Sequence, residues 1–219
     1  MNKPFGNADT NLSDYVSRVY APEDAVLAEI RRRSTAAGLP DIQVAALDAL
    51  HIEVLARAAG ARRAVEIGTL GGYSGVALLR GMGPDGQLDT IELSQRHADV
   101  ARESFRRAGV DSRARIHVGA AGDVLPRLAA SGPFDLVFID ADKEGYPAYL
   151  AWAADNLRSG GIVLLDNAFL FGHLHEDPAG ERATQIRAMQ SVHETLARSG
   201  KFRGTVLPTG EGLAFGVRV

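Results

Sequence analysis

The sequence predicts an α/β fold in which a mostly parallel sheet carries helices on both faces. Three observations support this prediction. From residue 64 onward, short apolar segments alternate with amphipathic segments, which is typical of parallel strands joined by helices through right-handed crossovers. Segments with helical periodicity precede this region. Two apolar segments separated by Thr209-Gly210-Glu211 end the chain, which indicates an antiparallel hairpin at the edge of the sheet.

Three helices are expected before the sheet, because apolar residues recur there with helical spacing. Their predicted bounds are 12–19, 21–37 and 44–59. The second helix is expected to hold Pro22 and Glu23 in its first turn and to end at Gly38, which Pro40 closely follows.

Seven strands and five further helices follow in the predicted order. The strands are expected at 64–68, 88–93, 114–119, 134–140, 161–167, 202–208 and 212–219. The helices are expected at 73–82, 95–108, 122–130, 146–157 and 181–198. We expect one domain over residues 1–219, in which residues 1–60 cover the ligand sites and residues 61–219 form the core.

The composition excludes several classes of site and partner. The 219 residues include no cysteine, which excludes disulfides, thiolate metal sites and cysteine nucleophiles. A net charge of −3 favours a small-molecule ligand over a partner bound through its phosphates. The chain shows neither a secretory leader nor an apolar run of bilayer length, so we expect a cytoplasmic protein without a membrane partner.

A glycine-rich turn follows the first predicted strand, at the edge where open α/β sheets bind ligands. It reads EIGTLGGYSG over residues 66–75. The turn has neither the glycine spacing of a dinucleotide site nor the lysine of a P-loop. Glu66 would repel a pyrophosphate but suits an ammonium group, while Ser74 and the helix amides suit a carboxylate. Glycines alone are equally compatible with a tight turn that binds nothing.

Glu92 ends the second strand, 24 residues after Gly68. An acid at this distance commonly binds the ribose hydroxyls of a nucleotide-like cofactor. The turn and Glu92 together therefore favour an adenosyl cofactor without phosphates.

Oxygen-bearing side chains end two further strands. Asp140 ends the fourth strand, and Asp166 and Asn167 end the fifth. Ligands of this kind suit a hard cation, with Mg²⁺ favoured and Mn²⁺ or Ca²⁺ as alternatives. Either strand end alone would be read as a solvated turn; both together favour a metal site.

These motifs resemble the cation-dependent class I O-methyltransferases, which include catechol and caffeoyl-CoA O-methyltransferases. The similarity covers nearly the whole chain and includes IQV (42–44), EIGTLGGYSG (66–75), TIEL (90–93), VGAAGDVLPRL (118–128), FIDADK (138–143), LLDN (164–167) and GEGLAFGV (210–217). It implies the Rossmann-like class I methyltransferase fold, a homodimer and S-adenosyl-L-methionine as methyl donor.

The resemblance also implies roles for individual residues. The cofactor contacts would be Val44, Glu66, Gly68, Tyr73, Ser74, Glu92, Ala121 and Asp140. Asp140, Asp166 and Asn167 would bind the metal, and Lys143 would accept the proton, so that Lys143 and Asp140 are the catalytic pair. Open metal positions would chelate two neighbouring hydroxyls of a small, catechol-like aromatic substrate. Asp142 departs from the pattern, because mammalian catechol enzymes have an aromatic residue there.

Two alternatives stay open at the level of sequence. The arginine runs at 31–33, 62–63 and 106–107 could form a phosphate-binding face, as expected of an RNA-binding protein of the same fold that methylates a modified tRNA nucleoside. A dehydrogenase is a weaker alternative. His173 and His175 precede Pro178 and are interpreted as part of a loop over the substrate rather than as metal ligands.

Overall fold

The computed structural model describes residues 9–219, which form a seven-stranded sheet in the order β3-β2-β1-β4-β5-β7-β6. The strands are β1 (Arg63–Ile67), β2 (Gln87–Glu92), β3 (Ala114–Val118), β4 (Phe134–Ile139), β5 (Leu157–Leu165), β6 (Phe202–Leu207) and β7 (Leu213–Arg218). The first five are parallel, and β7 lies antiparallel to both β5 and β6. The predicted fold class is confirmed, including the antiparallel hairpin.

Eight α-helices flank the strands within the described residues. They are α1 (Thr10–Tyr20), α2 (Ala25–Ala36), α3 (Ala46–Ala58), α4 (Tyr73–Gly81), α5 (Gln95–Arg107), α6 (Ala121–Leu128), α7 (Tyr146–Asn156) and α8 (Ala183–Arg198). Each corresponds to a predicted helix, and most bounds differ by one to three residues. Within this part of the chain, every helix is too short or too polar to cross a bilayer.

The start of α2 corrects one prediction. The helix begins at Ala25 rather than at residue 21, because Ala21 adopts a left-handed conformation (φ 42°) and closes α1. Asp24 caps α2 by accepting a hydrogen bond from the backbone N–H of Leu27 at 2.9 Å. An aspartate that satisfies a free N–H of the first turn marks the helix start more strongly than Pro22 does.

The start of β5 corrects a second prediction. This strand begins at Leu157, four residues before the predicted bound, and Leu157 pairs with Phe134 of β4. An ion pair of 2.6 Å between Arg158 Nε and Asp135 Oδ1 joins the same two strands. Gly160 and Gly161 lie inside this strand, and because glycine is uncommon in strand interiors the predicted bound falls too late.

Two apolar layers cover the sheet, and alternate residues of β4 contribute to them. Val137 and Ile139 belong to the cluster that contains residues of α6, α7 and α8. Leu136 and Phe138 belong to the cluster that contains residues of α2, α3, α4 and α5. Because both faces of the sheet are buried, the strands themselves are apolar. The polar residues directly follow the parallel strands, and they lie at the carboxyl ends of the sheet, where such folds bind ligands.

Candidate active site

A cavity of about 960 Å³ lies at the carboxyl ends of the parallel strands. Its wall combines the glycine-rich turn after β1, the end of β2, the start of α6, the residues that follow β4 and β5, and the segment that enters α3. The cavity therefore brings together the two groups of residues that the sequence placed at separate strand ends.

Glu92 fixes the glycine-rich turn from the neighbouring strand. Its Oε2 accepts hydrogen bonds from the backbone N–H groups of Leu70 at 2.8 Å and Thr69 at 3.3 Å, and its Oε1 accepts one from Ser94 at 2.9 Å. The side chain is buried but lines the cavity. Glu92 thus presents an oriented carboxylate at the end of β2, as binding a ribose diol requires.

Glu66 lies behind the cavity wall rather than in it. The side chain is fully buried, with Oε1 accepting from Ser74 Oγ at 2.6 Å and Oε2 accepting from Thr90 Oγ1 at 2.5 Å. Burial raises the pKa of Glu66 to about 7, although both hydroxyl hydrogen bonds oppose the shift. In this arrangement Glu66 orients Ser74, and its own contact with the cofactor stays a prediction.

The other predicted cofactor residues all line the cavity: Val44, Gly68, Tyr73, Ser74, Ala121 and Asp140. Tyr73 also joins the turn to α2. Its hydroxyl donates to Glu23 Oε1 at 2.7 Å, and the guanidinium of Arg31 lies 4.7 Å from the centre of its ring. The N-terminal helices are thereby tied to the glycine-rich turn.

Asp140 and Asp166 follow adjacent strands at the other end of the cavity. The backbone N–H of Asp140 donates to the carbonyl of Ile67 at 2.9 Å, and that of Asp166 donates to Ile139 at 3.0 Å. Burial, together with the charge of Asp140, raises the pKa of Asp166 to about 7. Burial also raises the pKa of Asp140, against the opposing charge of Lys143.

These residues fit a hard divalent cation. The carboxylate of Asp166 is buried and that of Asp140 is partly buried, and the two repel each other. Asn167 follows Asp166 in the left-handed conformation (φ 53°), a strained geometry that proteins tend to keep at functional sites. Within residues 9–219, no three His, Cys, Asp or Glu side chains are grouped to hold a metal. The candidate ligand set is therefore two carboxylates and the amide of Asn167, all of oxygen type.

Lys143 contacts the carboxylate of Asp140 and the start of α7. Its Nζ lies 3.4 Å from Asp140 Oδ1, 3.2 Å from the carbonyl of Ala141 and 2.6 Å from Tyr146 Oη. The side chain is 11% exposed and lines the cavity. An amine in this position is within reach of a hydroxyl bound beside Asp140.

Sequence reasoning missed several residues of the cavity wall. Asp48 of α3 is only 5% exposed, and its charge contributes to the raised pKa of Asp166. A sequence signal existed, because Asp48 interrupts the otherwise apolar face formed with Ala49, Ile52 and Ala56. No comparable signal marks Phe171, which lines the cavity from the loop after β5.

The cavity wall is strongly acidic. Among the described residues that line it, seven carry carboxylates and one is a lysine. The carboxylates are Asp41, Asp48, Glu92, Asp140, Asp142, Asp166 and Glu211. Asp142 is held by the hydroxyl of Tyr149, which donates to its Oδ1 at 2.8 Å. Such a wall disfavours strongly anionic ligands.

The sequence model of a protein family described as O-methyltransferase matches residues 17–219. The chain belongs to this O-methyltransferase family. The family membership confirms the prediction of an O-methyltransferase and agrees with the fold and with the position of the cavity.

Individual relatives of this O-methyltransferase extend the comparison. A catechol O-methyltransferase from Mycobacterium tuberculosis H37Rv is 45% identical over 173 residues, which cover 78% of each chain. The O-methyltransferase from Bacillus cereus, solved in complex with S-adenosylhomocysteine, is 33% identical with a TM-score of 0.89, over 95% of this chain and 97% of that one. TomG from Streptomyces achromogenes, solved with S-adenosylmethionine, is 34% identical with a TM-score of 0.87, over 95% and 96%.

Two of the three arginine runs of this O-methyltransferase, at 31–33 and 106–107, are engaged in ion pairs. Arg31 pairs with Glu23 at 2.9 Å, while Arg106 and Arg107 both pair with Glu103, at 2.7 and 2.6 Å. These partners offset the positive charge that a phosphate-binding face would need.

The histidine loop lies outside the cavity wall described above. His173 contacts Glu176 at 2.8 Å and Arg182 at 2.7 Å. Neither His173 nor His175 is among the described residues that line the cavity with Asp140 and Asp166.

Proposed function

We propose that this protein transfers the methyl group of S-adenosylmethionine to one hydroxyl of a small aromatic vicinal diol, assisted by a divalent cation. One observation carries the proposal. Asp140, Lys143, Asp166 and Asn167 follow β4 and β5, and they line the same cavity as the glycine-rich turn after β1 and Glu92 at the end of β2. In the strand order β2-β1-β4-β5, the two groups therefore lie toward opposite ends of this row of strands. A donor and an acceptor bound at these two ends would face each other, which is the arrangement that direct transfer needs.

S-adenosylmethionine is supported as donor by the wall of the cavity and by the relatives. Glu92 provides a carboxylate for the ribose hydroxyls, and the turn at Gly68 and Ser74 leads into the N-terminus of α4, where backbone amides suit a carboxylate. Two similar proteins were solved with this cofactor or with S-adenosylhomocysteine. The acidic wall favours the positively charged sulfonium over a phosphate-bearing cofactor.

Asp140, Asp166 and Asn167 would hold the cation, with Mg²⁺ the first choice and Mn²⁺ or Ca²⁺ as alternatives. When bound, the cation would lower the pKa of a coordinated hydroxyl. Lys143 would then accept the hydroxyl proton on Nζ while the electron pair stays on the substrate oxygen. That oxygen forms the new bond to the methyl carbon, and the pair of the breaking carbon–sulfur bond passes to sulfur, which gives S-adenosylhomocysteine.

A catechol-like acceptor is supported by the similarity to a catechol O-methyltransferase at 45% identity and by the proposed cation. Neighbouring hydroxyls can chelate one metal ion and so present one oxygen at a fixed distance from the methyl group. Phe171 and Tyr149 line the same cavity and offer aromatic surface to the ring of the acceptor.

The proposal is tested by incubating the protein with S-adenosylmethionine, Mg²⁺ and catechol, with and without excess chelator. We expect methyl transfer that the chelator abolishes and added Mg²⁺ restores. Asp140→Ala and Asp166→Ala should both lose the metal-dependent rate. Lys143→Met should keep the affinity for S-adenosylhomocysteine and lose roughly 100-fold or more in kcat. Full activity in chelator would remove the metal from the proposal.

The RNA alternative is tested in the same assay series. It requires tight, salt-sensitive tRNA binding without turnover of any catechol. The ion pairs of Arg31, Arg106 and Arg107 and the acidic cavity wall support the small-molecule function over this one.

A homodimer is also proposed, in keeping with the family resemblance. Helix α1 supports it, because none of its residues is buried and both Tyr15 and Val19 are 55% exposed. Burial of these exposed apolar side chains against a second copy of the chain would stabilise a dimer. Light scattering coupled to size-exclusion chromatography should give twice the mass of one chain.

A further inference from the structure

Tyr146 occupies a central position next to the candidate active site without lining the cavity. It is the first residue of α7, three residues after Lys143, and its side chain is fully buried. Its hydroxyl contacts three groups: Lys143 Nζ at 2.6 Å, the carbonyl of Asp166 at 3.2 Å and the carbonyl of Ile139 at 3.3 Å. The two carbonyls lie at the ends of β5 and β4, beside the proposed metal ligands.

These contacts fix the direction of each hydrogen bond. A phenol has one proton, and both backbone carbonyls can only accept it, so Tyr146 donates toward Asp166 and Ile139. The lone pairs of its oxygen are then left for Lys143, which donates. The hydroxyl thereby connects the amine of Lys143 to the backbone of the two strands that present Asp140 and Asp166.

The same contacts restrict how Lys143 can use its lone pair. A neutral amine has two N–H groups and one lone pair. Tyr146 Oη at 2.6 Å and the carbonyl of Ala141 at 3.2 Å can accept both N–H groups. The third direction is toward Asp140, whose Oδ1 lies 3.4 Å from Nζ and accepts the third N–H when the amine is protonated. Loss of that proton leaves the lone pair in this direction, because the two nearer acceptors keep the other N–H groups. The lone pair would then be directed at the end of the cavity where the acceptor hydroxyl is proposed to bind.

We propose that Tyr146 is the positioning residue for Lys143: its buried hydroxyl holds the amine with its lone pair toward the acceptor hydroxyl. The inference rests on the proposed role of Lys143 as proton acceptor. It goes further by assigning to Tyr146 a part in catalysis that a buried aromatic residue of the core would not have. A purely structural residue would contribute through the packing of its ring, and phenylalanine at this position would keep that contribution.

Tyr146→Phe separates these two roles, because it keeps the ring and removes only the hydroxyl. The sequence has three lysines, Lys3, Lys143 and Lys201, so selective labelling of the lysine ε-carbon gives a simple NMR spectrum. Lys143→Met assigns the Lys143 signal by its loss. Lys201, whose side chain is 49% exposed and whose Nζ lies 3.6 Å from Asp155 Oδ1 on the surface, is the internal reference for a solvent-exposed amine.

We expect the two ε-methylene protons of Lys143 to differ in chemical shift in the wild-type protein and to become equivalent in Tyr146→Phe. The kcat for catechol should fall roughly 10- to 100-fold, as expected when a charged group loses a buried hydrogen bond. The KM for catechol and the affinity for S-adenosylhomocysteine should stay within about twofold, because Tyr146 does not line the cavity. In a Lys143→Met background, Tyr146→Phe should cause no further loss of kcat.

Three results would overturn the inference: an unchanged Lys143 signal and kcat in Tyr146→Phe, an equal further loss of kcat in the Lys143→Met background, or wild-type ε-methylene protons as averaged as those of Lys201. The last measurement needs no variant and therefore applies even if Tyr146→Phe does not fold. The NMR signals also require no turnover. Distinct ε-methylene signals of Lys143 in a wild-type protein that methylates no catechol would count against the proposed function. They would still support the positioning of Lys143 by Tyr146.

Discussion

Gly68 and Asp140 are packed backbone to backbone, so closely that a Cβ on Gly68 would overlap the carbonyl oxygen of Asp140. Gly68 also has a φ of +99°, which side chains other than glycine rarely adopt. Its N–H donates to the carbonyl of Ile91 at 3.0 Å, while the N–H of Asp140 donates to Ile67 at 2.9 Å. The cofactor end and the metal end of the site therefore share one backbone support.

Gly68→Ala should damage both ends of the site at once. The added methyl group must push apart the ends of β1 and β4, and we expect a loss of unfolding free energy of more than about 2 kcal/mol. Urea unfolding measures the stability, and calorimetry measures the affinity for S-adenosylhomocysteine, which should fall together with it. Gly109→Ala is the matched control, since Gly109 has a φ of +69° but nothing within 4 Å of the added Cβ. It should cost only about 1 kcal/mol, and equal losses in the two variants would contradict the packing argument.

The neighbouring carboxylates of Asp140 and Asp166 predict how the stability of the metal-free protein depends on pH. The pKa of Asp166 is raised to about 7, so the folded chain binds this proton more tightly than the unfolded chain does. Stability should therefore fall as pH rises from the usual range of an aspartate through about 7, and this contribution should level off at higher pH. Glu66, whose pKa is also raised to about 7, acts in the same direction. In chelator, Tm should be lower at about pH 8 than at about pH 5, and Mg²⁺ should raise it most at the higher pH.

Asp166→Asn isolates the contribution of the pair. The variant should have a weaker dependence of Tm on pH in chelator and should gain little from Mg²⁺. A Tm that rises with pH in chelator, or an equal gain from Mg²⁺ in the variant, would show that the two carboxylates do not repel each other as described.

The sequence predicted the strand ends better than the relations between distant helices. Asp140 and Asp166 could be placed because each directly follows an apolar strand, and parallel strands bring their carboxyl ends together. Asp48 could not be placed, because it lies more than 100 residues before Asp166 and meets it only through the packing of α3. Glu66 occurs in the motif that carries the resemblance, but its burial could not be predicted. The two hydroxyl groups that donate to it come from Ser74 in α4 and Thr90 in β2.

Helix starts and buried contacts show the same limit at short range. Asp24 and Pro22 are both plausible starts for a helix, and only the hydrogen bond to Leu27 decides between them. The spacing of Lys143 and Tyr146 suits contact across the start of a helix. Nothing in the sequence, however, shows that the hydroxyl of Tyr146 also reaches two strand ends.

Asp48 should contribute to metal affinity without belonging to the proposed ligand set. Its charge acts on Asp166 from inside the same cavity wall, and a nearby carboxylate attracts a cation even when it does not bind it directly. Asp48→Asn should weaken Mg²⁺ binding roughly 10-fold, as measured by calorimetry in the presence of S-adenosylhomocysteine. Glu53→Gln removes a carboxylate from the same helix at a position that does not line the cavity. Unchanged affinity in Asp48→Asn, or an equal loss in Glu53→Gln, would exclude a specific role for Asp48.

The acidic wall should select acceptors by charge. Asp142 lines the cavity two residues after Asp140, and Glu211 lines it from the turn between β6 and β7. A catechol that carries an amine should therefore have a kcat/KM roughly 10-fold above that of a catechol of similar size that carries a carboxylate. Dopamine and 3,4-dihydroxyphenylacetate provide such a pair.

Asp142→Asn should reduce this preference several-fold, mainly through the KM of the amine. Asp85→Asn is the control, because Asp85 is exposed and absent from the described cavity wall, so it changes the net charge equally. Added salt should weaken the preference in the wild-type protein, since partly exposed charges are screened over about 10 Å at moderate ionic strength. A preference for the carboxylate, or equal effects of the two variants, would show that the selection comes from the shape of the cavity rather than from the charge of Asp142.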